Sequence, residues 1–209
     1  QLASSMQFSR SEKMGYLTSN PTDTGTGMRL FFYVQLPGLI FTKRLDKVFE
    51  TISAAGVSIR GWAGSAENLN NIFEIANQAT LGVTDEDIIQ KTSVTVKTLI
   101  REEKKARRQI QRENDIIPLD YVRRAYGVMK HAGLLGAEES ISFLSALRFG
   151  REMEWVQGIS RSEISRLMLD VQPAHIAMKC DFKDEVSELE LDRSRSELVR
   201  ENLKDVYLV

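Results

Sequence analysis

An α+β fold is predicted for this chain, because segments of strand type come first and helical segments follow, whereas regular alternation would indicate a parallel α/β sheet. Aromatic and β-branched residues dominate several short runs up to residue 76, a composition typical of strands. From residue 84 onward, apolar residues recur at the spacing of amphipathic helices. The 209 residues suffice for one large domain, or for a domain with an additional region.

The predicted strands differ in length and in how apolar their residues are. Residues 6–9 and 15–19 are predicted as short strands around a charged turn. Residues 28–36 are almost continuously apolar, so we expect the central strand of the sheet here, covered on both faces. Residues 57–63 and 71–76 are predicted as two further strands, joined by a polar loop.

One helix is expected between these strands. Pro37 and Gly38 end the apolar run, and residues 39–55 carry apolar side chains at helical spacing. Gly56 follows directly and is suited to end a helix, because glycine adopts the left-handed conformation at little cost.

Residues 84–113 are predicted as one long amphipathic helix. Thr84, with Asp87 three residues later, resembles an N-terminal capping box, although Asp is a weaker partner there than Glu. The helix ends in a mixed charge run with two interpretations. One is a nucleic-acid patch; the favoured one is a solvated face with i,i+4 pairs such as Glu103–Arg107.

The rest of the chain is predicted to be helical. A boundary that acts as a hinge is expected near residues 114–118, and Pro118 begins the next element. The helices are predicted at residues 119–131, 138–155, 160–171 and 184–206.

Composition narrows the class of protein. The 28 basic and 29 acidic residues nearly balance, which argues against nucleic-acid binding by bulk charge. The single cysteine, Cys180, excludes a disulfide framework and fits the cytoplasm. No apolar run approaches membrane-spanning length, so neither nucleic acid nor membrane is expected as a partner. Because the chain begins at Gln1 without a signal pattern, we interpret it as the latter part of a longer polypeptide.

The stretch from Gly15 to Arg29 has the layout of an anion site. Gly25 and Gly27 let the backbone bend and approach a ligand closely. Arg29 supplies a permanently charged, forked donor suited to phosphate. The alternative is an ordinary connection between two strands with an exposed arginine.

Several motifs resemble those of guanidino (phosphagen) kinases, and most closely the bacterial protein arginine kinases of the McsB type. Residues 15–29, GYLTSNPTDTGTGMR, resemble the family signature YLTxCPTNxGTGxR. Residues 71–82, NIFEIANQATLG, are similar to NIFQISNQxTLG. Shorter matches include VSIRG at residues 57–61, RAYG at residues 124–127 and LSALRFG at residues 144–150. The resemblance covers nearly the whole chain.

This resemblance implies a fold, a division into domains and a reaction. Residues 1–117 would be the C-terminal part of a guanidino kinase catalytic domain, an antiparallel sheet flanked by helices, and residues 118–209 a helical C-terminal region. The implied reaction moves the γ-phosphoryl group of ATP to arginine side chains in proteins. Arg29, Arg60 and Glu74 would contact the nucleotide, and Mg²⁺ would be held mainly by phosphates.

The departures from the family pattern concern the catalytic groups. Asn20 stands in place of the family cysteine and cannot supply a thiolate's charge. Asp23 replaces the asparagine of CPTN, and Ser65 replaces a glutamate. We hypothesise that Asp23 or Glu67 restores the missing carboxylate. The alternative function is a catalytically degenerate family member that binds nucleotide or phosphoarginine and regulates a partner.

The C-terminal tail resembles the phosphoarginine-reading motif RDxxRA of the protein-directed branch. Leu191 replaces its first arginine, whereas Asp192 and Arg195 remain. The alternative interpretation is a solvated helix of mixed charge. The resemblance also implies proteins with exposed arginine as substrates, a homodimer that packs through helices of the tail, and an activator protein.

Overall fold

The computed structural model describes residues 5–54, 56–62, 70–180 and 186–209. They form two compact units, one within Gln1–Asn68 and Ile72–Ala106 and the other within Leu69–Asn71 and Arg107–Val209. Among the helices described, none has both the length and the apolar character needed to span a membrane.

The first unit contains an antiparallel hairpin, a three-stranded sheet and helices packed on that sheet. Its strands are β1 (Arg10–Ser11), β2 (Gly15–Tyr16), β3 (Phe31–Gln35), β4 (Val57–Gly61) and β5 (Ile72–Asn77). Its helices are α1 (Pro37–Phe41), α2 (Leu45–Ser53) and most of α3 (Asp85–Glu113).

The sheet is antiparallel, and its order is β3-β5-β4. Within the described part of the chain, β5 is therefore the central strand, and the prediction that residues 28–36 form it is wrong. Phe31 and Tyr33 are 43% and 59% exposed, whereas Val34 is buried. The apolar run suggested a strand covered on both faces because aromatic side chains occupy both faces of β3, the exposed face (called the open face below) as well as the face toward the core. The predicted α+β class with an antiparallel sheet is confirmed.

The core of the first unit lies between the helices and the face of the sheet opposite Phe31 and Tyr33. Val34, Val57 and Ile75 meet Leu39 and Leu99 there. The helix predicted at residues 39–55 is two helices, because the backbone reverses at Lys43, which has a φ of 54°. Gly56, with a φ of 77°, follows the second helix as predicted.

The predicted start of α3 is confirmed. The backbone N–H of Thr84 donates to Asp87 Oδ2 at 3.1 Å, and the backbone N–H of Asp87 donates to Thr84 Oγ1 at 3.1 Å. These reciprocal bonds satisfy N–H groups that a helix start leaves without partners. The hydrogen bonds from Thr84 also lower the pKa of Asp87.

The charge run of α3 is not uniformly solvated, and for Glu103 the prediction of a solvated face is wrong. Glu103 is 4% exposed. Its carboxylate accepts hydrogen bonds from the backbone N–H groups of Gly38 and Leu39, each at 2.9 Å. These groups lie in the first turn of α1, where backbone donors favour a negative charge. Glu103 thus fixes α1 to α3.

Replacing Glu103 by alanine should destabilise the protein strongly. Two buried backbone donors would lose their acceptor, a cost of about 3 kcal/mol. Urea unfolding followed by circular dichroism measures this loss. Glu102→Ala is the matched control, because Glu102 is the neighbouring residue and pairs with the partly exposed Arg44 and Lys105. If both variants lost less than about 0.5 kcal/mol, typical of surface changes, the proposed role of Glu103 would be wrong.

The second unit is mainly helical. Its helices, after the end of α3, are α4 (Ile116–His131), α5 (Ala137–Glu152), α6 (Arg161–Asp170), α7 (Pro173–Lys179) and α8 (Glu188–Asn202). Its strands β6 (Val156–Gln157) and β7 (Tyr207–Leu208) pair antiparallel. The two strands and α7 were not predicted, because such short elements show no period. Ser160 and Ser187 complete capping boxes with Glu163 and Glu190.

Candidate functional site

The face of the sheet opposite the core carries a row of polar side chains. Tyr33, Glu74 and Arg60 lie opposite one another on β3, β5 and β4. The hydroxyl of Tyr33 donates to Glu74 Oε2 at 2.9 Å, and Nε of Arg60 donates to Glu74 Oε1 at 2.6 Å. Glu74 thus orients both neighbours. The hydrogen bond to Glu74 raises the pKa of Tyr33.

Within this row, Glu74 contacts the guanidinium group of Arg60 at its Nε atom. Its side chain is 60% exposed, whereas that of Glu74 is 15% exposed. A guanidinium has five N–H donors, so the exposed part of Arg60 can reach an anion that arrives from solvent. A contact this exposed contributes little to stability.

Arg29 reaches the same face from the chain that leads into β3. Its Nε lies 3.3 Å from Asp23 Oδ1, and its Nη1 donates to the backbone oxygen of Asn77 at 3.2 Å. Its Cζ lies 5.9 Å from the ring centroid of Phe31, an exposed residue of the open face. The side chain of Arg29 is 27% exposed. The structure therefore brings two oriented arginines to one open face.

The loop before Arg29 has the predicted bends. Gly25 has a φ of 116° and Gly27 a φ of 68°. A Cβ at Gly25 would lie 2.2 Å from the backbone oxygen of Thr80, so the close approach that requires glycine is to this backbone. Asn20 accepts a hydrogen bond from the backbone N–H of Thr22 and caps a 3₁₀ turn, Pro21–Asp23.

Two residues that hold this loop were missed by the sequence analysis. The side chain of Asn77, 4% exposed, accepts from the N–H of Leu30 at 2.8 Å and donates to the oxygen of Met28 at 3.1 Å. Thr80 Oγ1 contacts the backbone oxygen of Thr24 at 2.8 Å. Neither side chain carries charge, so its chemistry gave no reason to select it. Their position inside the matched segment NIFEIANQATLG was the one feature of the sequence that could have identified them.

The predicted site residues of the first unit divide into three groups. Arg29, Arg60 and Glu74 share the open face. Asp23 lies beside Arg29, whereas Asn20 is exposed and caps its own turn. Ser65 and Glu67 lie outside the described residues. The chemical roles assigned to all of these residues stay predictions.

The two predicted residues of the tail lie in α8. Arg195 is 1% exposed. Its Nε donates to the oxygen of Val171 at 2.7 Å, and its Nη1 donates to the oxygen of Leu135 at 2.7 Å and to Asp192 Oδ1 at 2.5 Å. A phosphoryl group would have to replace these contacts. The prediction that Arg195 reads phosphoarginine stays a prediction, and this geometry supports a structural role.

A metal ion has no dedicated set of ligands in the part of the chain that the structure describes. No group of three or more His, Cys, Asp or Glu side chains suited to a metal occurs there. Mg²⁺ is commonly bound through substrate phosphates and water, a mode of binding that needs no such group.

Two family models match the chain in succession. Residues 1–106 match the C-terminal catalytic domain of ATP:guanido phosphotransferases. Residues 117–207 match the C-terminal domain of the protein-arginine kinase McsB. The two matches confirm the resemblance found in the motifs.

Proteins with similar sequences are named protein-arginine kinases. Protein-arginine kinases of Bacillus cereus (strain AH820) and Bacillus mycoides (strain KBAB4) are each 36% identical over 200 residues, which is 95% of this chain and 56% of the relative. The chain thus spans about half the length of these relatives. A crystal structure of lombricine kinase has 24% identity and a TM-score of 0.41 over 55% of this chain and 29% of its own. By its match to the catalytic-domain model over half of its length, the chain belongs to the ATP:guanido phosphotransferase family.

Proposed function

We propose that this chain is the C-terminal part of a protein-arginine kinase, which transfers the γ-phosphoryl group of MgATP to arginine side chains in proteins. The observation that carries the proposal is the pair of oriented arginines on one open face, Arg29 beside Asp23 and Arg60 beside Glu74. The family description names ATP and a guanido acceptor, and the relatives are named for protein arginine.

Each arginine has a role that phosphoryl transfer requires. Catalysis of this reaction is mainly positioning and neutralisation of charge on the transferring group. Arg29 and Arg60 would bind the phosphate oxygens, because guanidinium forks match their geometry. Asp23 and Glu74 would position these two arginines. Mg²⁺, when bound to the phosphates, would neutralise further charge.

The acceptor arginine needs a carboxylate that orients it and takes a proton from the attacking nitrogen. We propose Asp23 or Glu67 for this role. The ion pair between Asp23 and Arg29 places Asp23 next to the proposed phosphate site, which suits positioning of Arg29 as well as contact with the acceptor.

Two carboxamide variants test this assignment in the complete polypeptide, assayed for phosphoarginine with MgATP. Loss of the catalytic carboxylate should lower turnover about 100-fold, the usual contribution of a positioned acid or base. The variant that lacks only a positioning contact should instead keep turnover and raise KM for ATP. Unchanged kinetics in both Asp23→Asn and Glu67→Gln would eliminate the carboxylate hypothesis.

A second candidate function is a degenerate family member that binds nucleotide or phosphoarginine and regulates a partner. The observation that favours it is the role of Asn20, whose side-chain oxygen accepts from the backbone N–H of Thr22 and caps a turn. Nucleotide binding without phosphoarginine formation by the complete polypeptide would support this alternative.

We also propose the division predicted from the sequence, residues 1–117 and 118–209. The end of α3 at Glu113, the positive φ of Asn114 and the N-cap at Asp115 support a boundary there. Proteins with exposed arginine as substrates, a homodimer, an activator protein and a cytoplasmic location belong to the same proposal.

A further inference from the structure

A pocket outside the proposed nucleotide site lies beside the β1–β2 hairpin of the first unit, and we call it the hairpin pocket. Its volume is about 300 Å³, and its walls are the hairpin, the loop that contains Gly25, and the segment from Thr80 to Asp85. The charged residues that line it are two cations, Arg10 and Lys13, and one carboxylate, that of Asp85. The lining therefore carries one more positive charge than negative charge.

Other carboxylates are close to the lining residues in sequence. Glu12 and Glu86 are exposed, and neither they nor Asp87 are part of the lining. Thr84 also occupies the carboxylate of Asp87, through its backbone N–H and its hydroxyl. Among the charged groups of the described residues, those that a ligand in the pocket would touch are thus the two cations and Asp85.

Hydrogen bonds between backbone groups join the walls of the pocket. The N–H of Tyr16 donates to the oxygen of Gly25 at 2.8 Å, and the N–H of Gly25 donates to the oxygen of Tyr16 at 3.1 Å. The N–H of Thr26 donates to the oxygen of Thr80 at 2.9 Å. The fold therefore forms this pocket before a ligand arrives, which lowers the entropy cost of binding.

Both cations are available to a ligand. Arg10 and Lys13 are exposed, and neither forms an ion pair with any residue that the structure describes. The Cζ of Arg10 lies 5.4 Å from the ring centroid of Tyr16. Contact with an aromatic ring orients a guanidinium group. Arg10 thus offers its N–H donors from an oriented position.

Apolar side chains border the same pocket. Met14, Tyr16 and Leu81 line it and are exposed. Phe8, also exposed, packs edge-on against the ring of Tyr16 at a centroid distance of 6.1 Å. Single exposed apolar side chains are ordinary, whereas a group of them around a polar pocket marks an interaction site.

From this combination we propose that the hairpin pocket binds an acidic peptide segment of a partner protein. A Glu or Asp carboxylate of the partner contacts Arg10 and Lys13, and a neighbouring apolar side chain packs against Met14 and Leu81. One carboxylate matches the single excess charge, and its two oxygens match the guanidinium fork. Inorganic phosphate has no apolar part to cover the exposed side chains. The proposal does not depend on the proposed kinase activity.

Fluorescence polarisation with a labelled peptide tests the pocket on the full 209-residue chain. The probe is a peptide with blocked ends that carries two Glu-Leu pairs between Gly and Ser residues. One control peptide has Gln in place of Glu, and the other has Ser in place of Leu. The probe should bind with a Kd below about 1 mM. Each control peptide should bind about threefold to tenfold more weakly, because each lacks one of the two kinds of contact.

Variants of the chain locate the binding. Arg10→Gln combined with Lys13→Gln should weaken the probe about tenfold, since each exposed charge contact is worth a few-fold in affinity. Leu81→Ser should weaken it about fivefold through lost apolar contact. Lys47→Gln is the matched control, because Lys47 is an exposed cation of α2 that does not line the pocket. Asp85→Asn removes the carboxylate that competes with the ligand and should raise affinity about threefold.

Several outcomes would overturn the proposal. It is wrong if the probe does not bind below about 1 mM, if the double variant or Leu81→Ser binds like Lys47→Gln, or if Asp85→Asn gives no rise. Equal binding of the probe and the Ser control peptide would indicate a plain anion site instead. The same assay on the complete polypeptide tests the upstream chain as the occupant. Loss of binding there would show that the upstream chain covers the pocket, whereas retained binding supports a partner protein.

Discussion

Arg60→Ala in the complete polypeptide is expected to lower the rate of phosphoryl transfer about 100- to 1,000-fold, the usual cost of removing one oriented charge donor. Arg60 is exposed on the open face, and Glu74 holds its Nε at 2.6 Å. Its loss should therefore leave the fold intact and remove charge neutralisation at the phosphates. Initial rates of ADP formation at saturating MgATP and protein substrate measure the effect.

Three controls identify the cause of that loss. Arg60→Lys keeps the charge but lacks the fork, so its rate should be intermediate. Glu74→Gln keeps Arg60 but weakens its orientation, and a smaller loss is expected. Arg124→Ala removes an arginine that is 79% exposed and paired only on the helix surface with Asp120, and its rate should equal that of the wild type. A rate for Arg60→Ala within twofold of the control would contradict the proposed role.

Arg195→Ala is expected to cost about 3–5 kcal/mol of unfolding free energy, as removal of one partner of a buried pair does. The variant would leave the oxygens of Val171 and Leu135 and the carboxylate of Asp192 without the donor that joins them. Urea unfolding measures the loss through the fluorescence of Trp155, which packs edge-on against Phe149 in the second unit. A Trp62→Phe background removes the signal of the other tryptophan.

The same helix supplies the control for Arg195. Arg193 is 75% exposed and pairs with Glu197 four residues on, so Arg193→Ala should change stability by less than about 0.5 kcal/mol. If Arg195→Ala were as stable as Arg193→Ala, the structural role of Arg195 would be wrong. The prediction that this residue reads phosphoarginine would then gain support.

Local features of this fold could be predicted from the sequence because their causes are local. Thr84 and Asp87 lie within one turn, and the capping bonds between them need no other part of the chain. The position of Gly56 after a helix also has a local cause, because glycine adopts the left-handed conformation at little cost. Arg29 was found through a long family motif, residues 15–29, and Arg60 through the shorter match VSIRG at residues 57–61.

Features that depend on distant contacts could not be predicted in this way. Glu103 has the same sequence surroundings as a solvated glutamate, and only the packing of α1 on α3 buries it. The partnership of Arg60 with Glu74 depends on the register of β4 and β5. That Phe31 faces outward depends on which face of the sheet the helices cover, and no local pattern in the sequence shows this.

The central claim, that this chain belongs to a working protein-arginine kinase, is tested most directly by its product. The complete polypeptide should be incubated with MgATP and an arginine-rich protein, and phosphoarginine sought by mass spectrometry under non-acidic conditions. We expect phosphoarginine with the wild type and none above background with a variant that lacks both Arg29 and Arg60. Absence of phosphoarginine with the wild type, while it still binds nucleotide, would contradict the claim and identify a degenerate, regulatory member of the family.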